Sequence, residues 1–245
     1  MAQSFSTILH SWGIWLIIFT GMLLSVLFKK LTPAAAATGG LVSIGIYSGA
    51  GYTGIWMMTT FFLTGVLVTA WKLDTKQRNG LAETDKGKRK AGQVLANAGA
   101  PALLGLLVYA HYLRQDIAHT MIAACFASAT ADTVSSELGN IYGRRFYNIL
   151  TLKKDQRGLN GVISIEGTLC GLAGSLLIAL IYAAGFGFSS QIIIIIIIAG
   201  TAGNLMDSIL GGTLERKHYL NNDAVNFLNT CFAAWIAYVC YSFWV

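Results

Sequence analysis

Apolar runs of about 18 or more residues recur along this chain, and that recurrence constrains its fold more than any other feature. In hydrocarbon every backbone N–H and C=O must be satisfied internally, so runs of this length fold as membrane-crossing helices. Eight spans are expected, at about 10–28, 33–50, 53–71, 94–112, 117–138, 162–184, 191–212 and 223–243. Composition agrees: 55% of the 245 residues are hydrophobic and 11% are charged, too little charge to coat a soluble domain of this size. The expected fold class is an all-α polytopic membrane bundle, with residues 1–245 forming a single membrane domain. The second span, PAAAATGGLVSIGIYSGAG, is rich in small residues and suits a central, tightly packed helix. The stretch SSQIIIIIIIAG has no preferred face at its start and is expected to meet lipid.

Basic residues set the expected orientation. With the N-terminus outside, the segments 29–32, 72–93, 139–161 and 213–222 face the cytoplasm and hold 16 of the 17 Lys and Arg; only Arg114 falls outside. Both termini are then external, and the long basic cytoplasmic loops are 72–93 and 139–161. The start, MAQSFSTILHSW, has no positive region before its apolar run, so the first run is expected to stay as a helix rather than be cleaved. The four cysteines lie in apolar runs without metal-ligand spacing and read as reduced, buried small residues.

The eleven acids divide sharply. Asp74, Glu83, Asp85, Asp155 and Glu215 sit among loop cations and read as solvated ion partners; Asp116 is external. Asp132, Glu137, Glu166, Asp207 and Asp223 each fall near the cytoplasmic end of a span, so independent runs bring acids to one depth. An ionisable group there is costly unless it faces a cavity or a partner. Asp223 also reads as an N-cap or first-turn acid. Asp132, Ser135 and Ser136 share a helix face, as do Asn204, Asp207 and Gly211. Asp132 and Glu137, five residues apart, lie about 140° apart around a regular helix, so they serve different ligands unless the helix unwinds near Gly139. Gly167, Gly171 and Gly174 leave one face bare, for close helix packing or for backbone approach to a ligand.

Clustered carboxylates with hydroxyls and amides suit a hard cation such as Mg²⁺, which one or two carboxylates commonly hold together with substrate phosphates. Arg89, Gln93 and Asn97 repeat every four residues and carry a guanidinium and two amides into the fourth span. Arg144 and Arg145, in GRRFYNILTLKKDQRGLNG, are placed to bind phosphate or anionic headgroups. No Walker, GxGxxG, HExxH or serine-nucleophile pattern occurs.

The blocks VLANAGAPALLGLL, ATADTVSSELG, GVISIEGTLCGLAGSL and NNDAVNFLNT resemble, in this order, those of a polytopic membrane family once filed as a domain of unknown function. It includes the phytyl-phosphate kinase of tocopherol synthesis and the transmembrane protein nineteen group. The likeness spans roughly residues 30 to 240. Its most specific block, A-T-A-D-T-x-x-S-E-[LI]-G, is matched by Ala129 to Gly139, and G-x-x-S-x-x-G-T by Gly161, Ser164, Gly167 and Thr168. The chain departs from the family at LKKDQRGLNG, which lacks the proline often found before the second block. The resemblance implies a kinase that makes a polyprenyl diphosphate from the monophosphate and a nucleoside triphosphate, CTP in the related phytol and dolichol kinases. It carries over Asn97, Asp132, Ser136, Glu137, Gly167, Thr168, Asn222 and Asp223 as functional positions.

The residues fit that reaction, because phosphoryl transfer needs positioning and charge neutralisation more than covalent chemistry. Asp132, Glu166 and Asp207, with Asp223 a further candidate, would hold Mg²⁺. Arg89, Arg144 and Arg145 would bind phosphates, and Asn97 and Asn222 would position oxygens. A cytidylyltransferase making a CDP-lipid would use the same groups. An ion-coupled transporter would need polar groups reachable from both sides, whereas these acids cluster toward one. The expected partners are a nucleoside triphosphate, a prenyl monophosphate and membrane lipid; the short basic loops give no sign of nucleic-acid binding.

Overall fold

The computed structural model describes residues 12–82 and 87–245. The N-terminal stretch before Trp12 and the loop residues Glu83, Asp85 and Lys86 lie outside the described residues. The described residues form eight helices: α1 (Trp12–Leu27), α2 (Pro33–Ala70), α3 (Leu73–Arg78), α4 (Ala91–Tyr109), α5 (Gln115–Tyr142), α6 (Ile165–Phe186), α7 (Ser190–Leu210) and α8 (Asn222–Trp244). A π-helical turn, Gly211–Glu215, continues α7. Strands β1 (Tyr147–Asn148) and β2 (Val162–Ile163) pair antiparallel, Tyr147 opposite Ile163. Helices α2 and α4 to α8 are long and apolar enough to cross a membrane, and α1 is shorter but apolar.

Helix α2 doubles back. Gly51 has φ 56° and ψ −150°, a conformation open to glycine alone, and the Ser43 hydroxyl donates to the Met58 sulfur at 3.7 Å. Along a straight helix those residues would stand about 22 Å apart, so the chain reverses at Gly51. The two legs match the second and third expected spans. Thr32 caps the first leg, its hydroxyl accepting from Ala35 N at 3.1 Å, with Pro33 at the position where a missing N–H costs nothing. That leg is central, as its small residues imply. A Cβ placed on Gly45 would stand 2.9 Å from the Ala102 carbonyl oxygen of α4, and one on Gly49 2.8 Å from that of Gly105.

Helix α5 forms the axis of the bundle, packed against α2, α4, α6, α7 and α8. Its middle, Ile122 to Ala127, is wholly buried and half Ala, so neighbouring backbones can close in on it. The bare face of α6 lies on it: a Cβ on Gly171 would stand 3.0 Å from the Ala131 carbonyl oxygen, and one on Gly174 3.3 Å from that of Thr130. The isoleucine run of α7 differs from expectation. Ile194 and Ile198 are exposed, but Ile195 and Ile196 are fully buried, because period 3.6 turns half of any uniform run toward α5.

At one end of the bundle α5 and α7 finish while α4, α6 and α8 begin. The β1–β2 segment folds over that end. Arg216 donates from Nε to the Asn160 carbonyl oxygen at 2.6 Å and from Nη2 to Asp155 at 3.1 Å. Gly161, at φ 76°, sits so close to Gly212 of the π-turn that no side chain fits between them.

Candidate functional site

Five helix ends and the β1–β2 loop enclose a polar cavity of about 280 Å³. Arg89, Gln93 and Asn97 line it from α4, Asp132, Ser136 and Glu137 from α5, Gly167 and Thr168 from α6, Asp207 from α7 and Asn222 from α8. Ten of the residues singled out in the sequence thus share one wall-to-wall space.

Asp132 and Asp207 face each other at hydrogen-bonding range, with Arg89 near enough to attract Asp132. Two carboxylates so placed repel unless a proton or a cation lies between them. Their neighbours fix them. Asn229, fully buried, donates from Nδ2 to Asp207 Oδ1 at 2.7 Å, and its own oxygen accepts from the Ser128 hydroxyl at 3.1 Å. Ser135 donates to Asn204 Oδ1 at 3.1 Å, tying α5 to α7 beside the pair.

Glu137 points to a different wall, as the five-residue spacing requires, and α5 runs regularly past Gly139 to Tyr142. Its Oε2 receives Lys76 Nζ at 2.5 Å; the same ammonium donates to the carbonyl oxygens of Thr69 (2.7 Å) and Val68 (3.0 Å). Lys76 is 1% exposed and Glu137 7%, so the pair is sealed from water. Oε1 of Glu137 is buried and has no hydrogen-bond partner among the described residues.

On α4, Arg89 lies over the Phe61 ring, 5.5 Å from its centroid. Gln93 Oε1 accepts from Lys90 N at 2.8 Å, and Asn97 Nδ2 donates to the Gln93 carbonyl oxygen at 3.0 Å, so both amides are held by the first turn. The G-x-x-S-x-x-G-T block shapes the start of α6. Ser164 caps it by accepting from Gly167 N at 3.1 Å, and the Thr168 hydroxyl donates to the Ser164 carbonyl oxygen at 3.0 Å. A Cβ on Gly167 would stand 2.9 Å from the Ser135 carbonyl oxygen.

Four expected site residues lie outside the lining. Glu166 turns toward the loop and accepts from Arg144 N at 3.4 Å. Arg144 and Arg145 are exposed. Asp223 sits in the first turn of α8, behind the Asn221 cap, with its carboxylate against Gly92 at the start of α4. Four lining or supporting residues were not expected. Glu215, read as a solvated loop acid, is brought into the wall by the π-turn. Lys76 is buried because α3 folds back under the end of α2. Asn226 and Asn229 follow Asn222 at spacings of four and three, a polar stripe on α8 visible in the sequence.

Among the described residues no group of three or more His, Cys, Asp or Glu side chains is placed to hold a metal ion by itself. The donors that line the cavity are nonetheless almost all oxygens.

No solved structure matches the chain. An uncharacterized membrane protein of Synechocystis is 32% identical over 212 residues, 85% of this chain and 82% of that one. One from Methanocaldococcus jannaschii is 35% identical, over 74% and 73% of the two chains. The chloroplastic protein VTE6 of Arabidopsis thaliana is 30% identical over 83% of this chain and 62% of its own length. Residues 16–234 match the family described as integral membrane protein DUF92, and with an apolar helical bundle built along that whole stretch, the chain belongs to that family.

Proposed function

We propose that the chain is a membrane phosphotransferase that converts a polyprenyl monophosphate, of the phytyl or geranylgeranyl kind, to the diphosphate with CTP and Mg²⁺. The observation that carries this reading is a single cavity, inside an apolar bundle, with a facing carboxylate pair opposite a guanidinium. The resemblance of the Ala129–Gly139 block to phytyl-phosphate kinases supports it. So does the donor set: Asp132 and Asp207 fit a hard cation shared with phosphate oxygens rather than caged by protein alone. Bound there, Mg²⁺ would neutralise phosphate charge.

The chain's own residues would position the reactants. Arg89 takes phosphate charge, while Asn97, Asn222 and the Ser136 hydroxyl orient oxygens. An oxygen of the prenyl phosphate attacks the γ-phosphorus of CTP, the bond to the β-phosphate oxygen breaks, and CDP leaves. The acceptor is already ionised near neutral pH, so no general base is required. The basic loops around the cavity support a cytoplasmic position for it, where nucleotide is available.

The test is purified protein in detergent with geranylgeranyl or phytyl monophosphate, Mg²⁺ and CTP or ATP, followed by mass spectrometry. A prenyl diphosphate that disappears in Asp132→Asn is expected. A CDP-lipid product would assign a cytidylyltransferase instead, and no turnover by folded protein would overturn the reading.

A further inference from the structure

Arg89 and Gln93 line two cavities. Besides the polar one, they border an apolar groove of about 750 Å³ between α1 and the α2 hairpin, whose walls include Leu16, Phe28 and Phe62. The two cations of this groove, Lys30 and Arg89, converge at one end. Their backbones are joined directly: Arg89 N donates to the Lys30 carbonyl oxygen at 3.0 Å, and Thr32 N donates to that of Arg89 at 3.1 Å. The groove therefore has an apolar body, a basic neck, and beyond the neck the carboxylate cavity.

An occupant must match all three parts. The apolar body suits a hydrocarbon chain, and Lys30 and Arg89 at its end complement an anionic head group. We propose that the groove holds the apolar chain of a single-chain lipid phosphate, with Lys30 and Arg89 gripping the phosphate where it enters the polar cavity. This rests on the reading of that cavity as the phosphoryl-transfer site, and it adds where the lipid lies and what limits its length. From Leu16 to Phe28 the wall rises about 18 Å at 1.5 Å per residue. That length accommodates a chain of diterpenoid size; a much longer polyprenol would leave the groove past Leu16.

Two glycines set the free width. A Cβ on Gly21 or on Gly39 would meet nothing within 4 Å, although both residues line the groove, whereas one on Gly40 would stand 2.7 Å from Met22 Sδ. Gly21→Leu and Gly39→Leu therefore add side chain along the groove with no clash at Cβ, and in a helix they exchange a poor former for a good one. Each lies nine residues from Lys30 in sequence, so a plug there leaves room near the neck for a short chain only.

The experiment compares geranyl and geranylgeranyl phosphate in wild type, Gly21→Leu and Gly39→Leu. In parallel, a geranylgeranyl phosphate with a diazirine at its tail end is crosslinked to wild type and the labelled peptides are mapped. The expected result is label on α1 and the first leg of α2, displaced by geranylgeranyl phosphate. In the variants kcat/KM for the long substrate falls at least tenfold while that for geranyl phosphate stays within twofold. Wild-type turnover with label elsewhere, or equal loss on both substrates, would overturn the groove and leave the kinase standing. Displaceable label in the groove without turnover would keep the groove and overturn the kinase. Label displaced by phosphatidylglycerol but not by prenyl phosphate would make the groove an ordinary bilayer-lipid site and overturn the proposal.

Discussion

The two ends of α5 treat their acids in opposite ways. At its start Asp116 is fully answered: Arg114 donates to it at 2.5 and 3.2 Å, Ile117 N at 2.9 Å and the Tyr241 hydroxyl at 3.1 Å. At its far end Asp132 faces another carboxylate, and Glu137 keeps one oxygen unpartnered among the described residues. The first end is what folding alone asks of an exposed acid in the first turn of a helix. The second sets two carboxylates against each other beside Arg89, an arrangement that suits a further cation from outside the chain. A helix can thus be stabilised at one end and held ready at the other, with its wholly buried Ala-rich middle keeping the two apart.

That contrast can be broken or sharpened by measurement. The largest effect is expected at the buried Lys76–Glu137 ion pair of the far end. Lys76→Met leaves Glu137 buried without its cation and should cost about 3–5 kcal/mol, read as a lower midpoint in thermal unfolding in detergent. Next, Asp132→Asn and Asp207→Asn should lower prenyl-phosphate turnover at least about a hundredfold while leaving unfolding unchanged or raising its midpoint, because each relieves a like-charge contact. Asp116→Asn should leave turnover within about twofold; an equal loss there would erase the distinction between the ends.

Gly171→Ala brings a methyl against Asn204 Nδ2 and the Ala131 carbonyl oxygen, and should destabilise by about 1–3 kcal/mol. Gly174→Ala, whose nearest contacts are 3.3 Å, should cost less, and an inverted order would show that α6 does not lie as described. The smallest effect concerns the loop clasp. The Asn148 amide, then Gln156 N and the Arg216 guanidinium, hold the Asp155 carboxyl below its ordinary value. A carboxylate so favoured keeps the clasp at neutral pH and releases it as pH falls through the acid range. Proteolysis of the 143–161 loop should therefore accelerate only in acid, and Asp155→Asn should produce the same acceleration at neutral pH.

Much of this was legible in the sequence, for reasons that can be named. Apolar run length marked the helices, and the small-residue leg before Gly51 was expected at the centre. Asp132, Asp207 and Asn97 were found because each is a polar group inside an apolar run, where position alone carries information, and Arg89 because it stands four residues before Gln93 and eight before Asn97. Glu166 was grouped with them by depth, but depth says nothing about azimuth: in the first turn after Ser164 its side chain swings to the loop. Lys76 and Glu215 were missed for the converse reason. Both sit in charged segments, where one lysine or glutamate looks like any other, and only the fold-back of α3 and the π-turn single them out.

The π-turn has a consequence for how this segment compares with other sequences. Its Arg216 N to Gly211 O bond, 3.2 Å long, spans five residues instead of four, so the helix holds one residue more than its length requires. Deleting that residue would tighten the turn to an α-helix and swing everything after it by about 100°. The direction in which Glu215 points is thus stored as a residue count, a kind of information that substitution scores do not register and that surfaces in an alignment only as a gap.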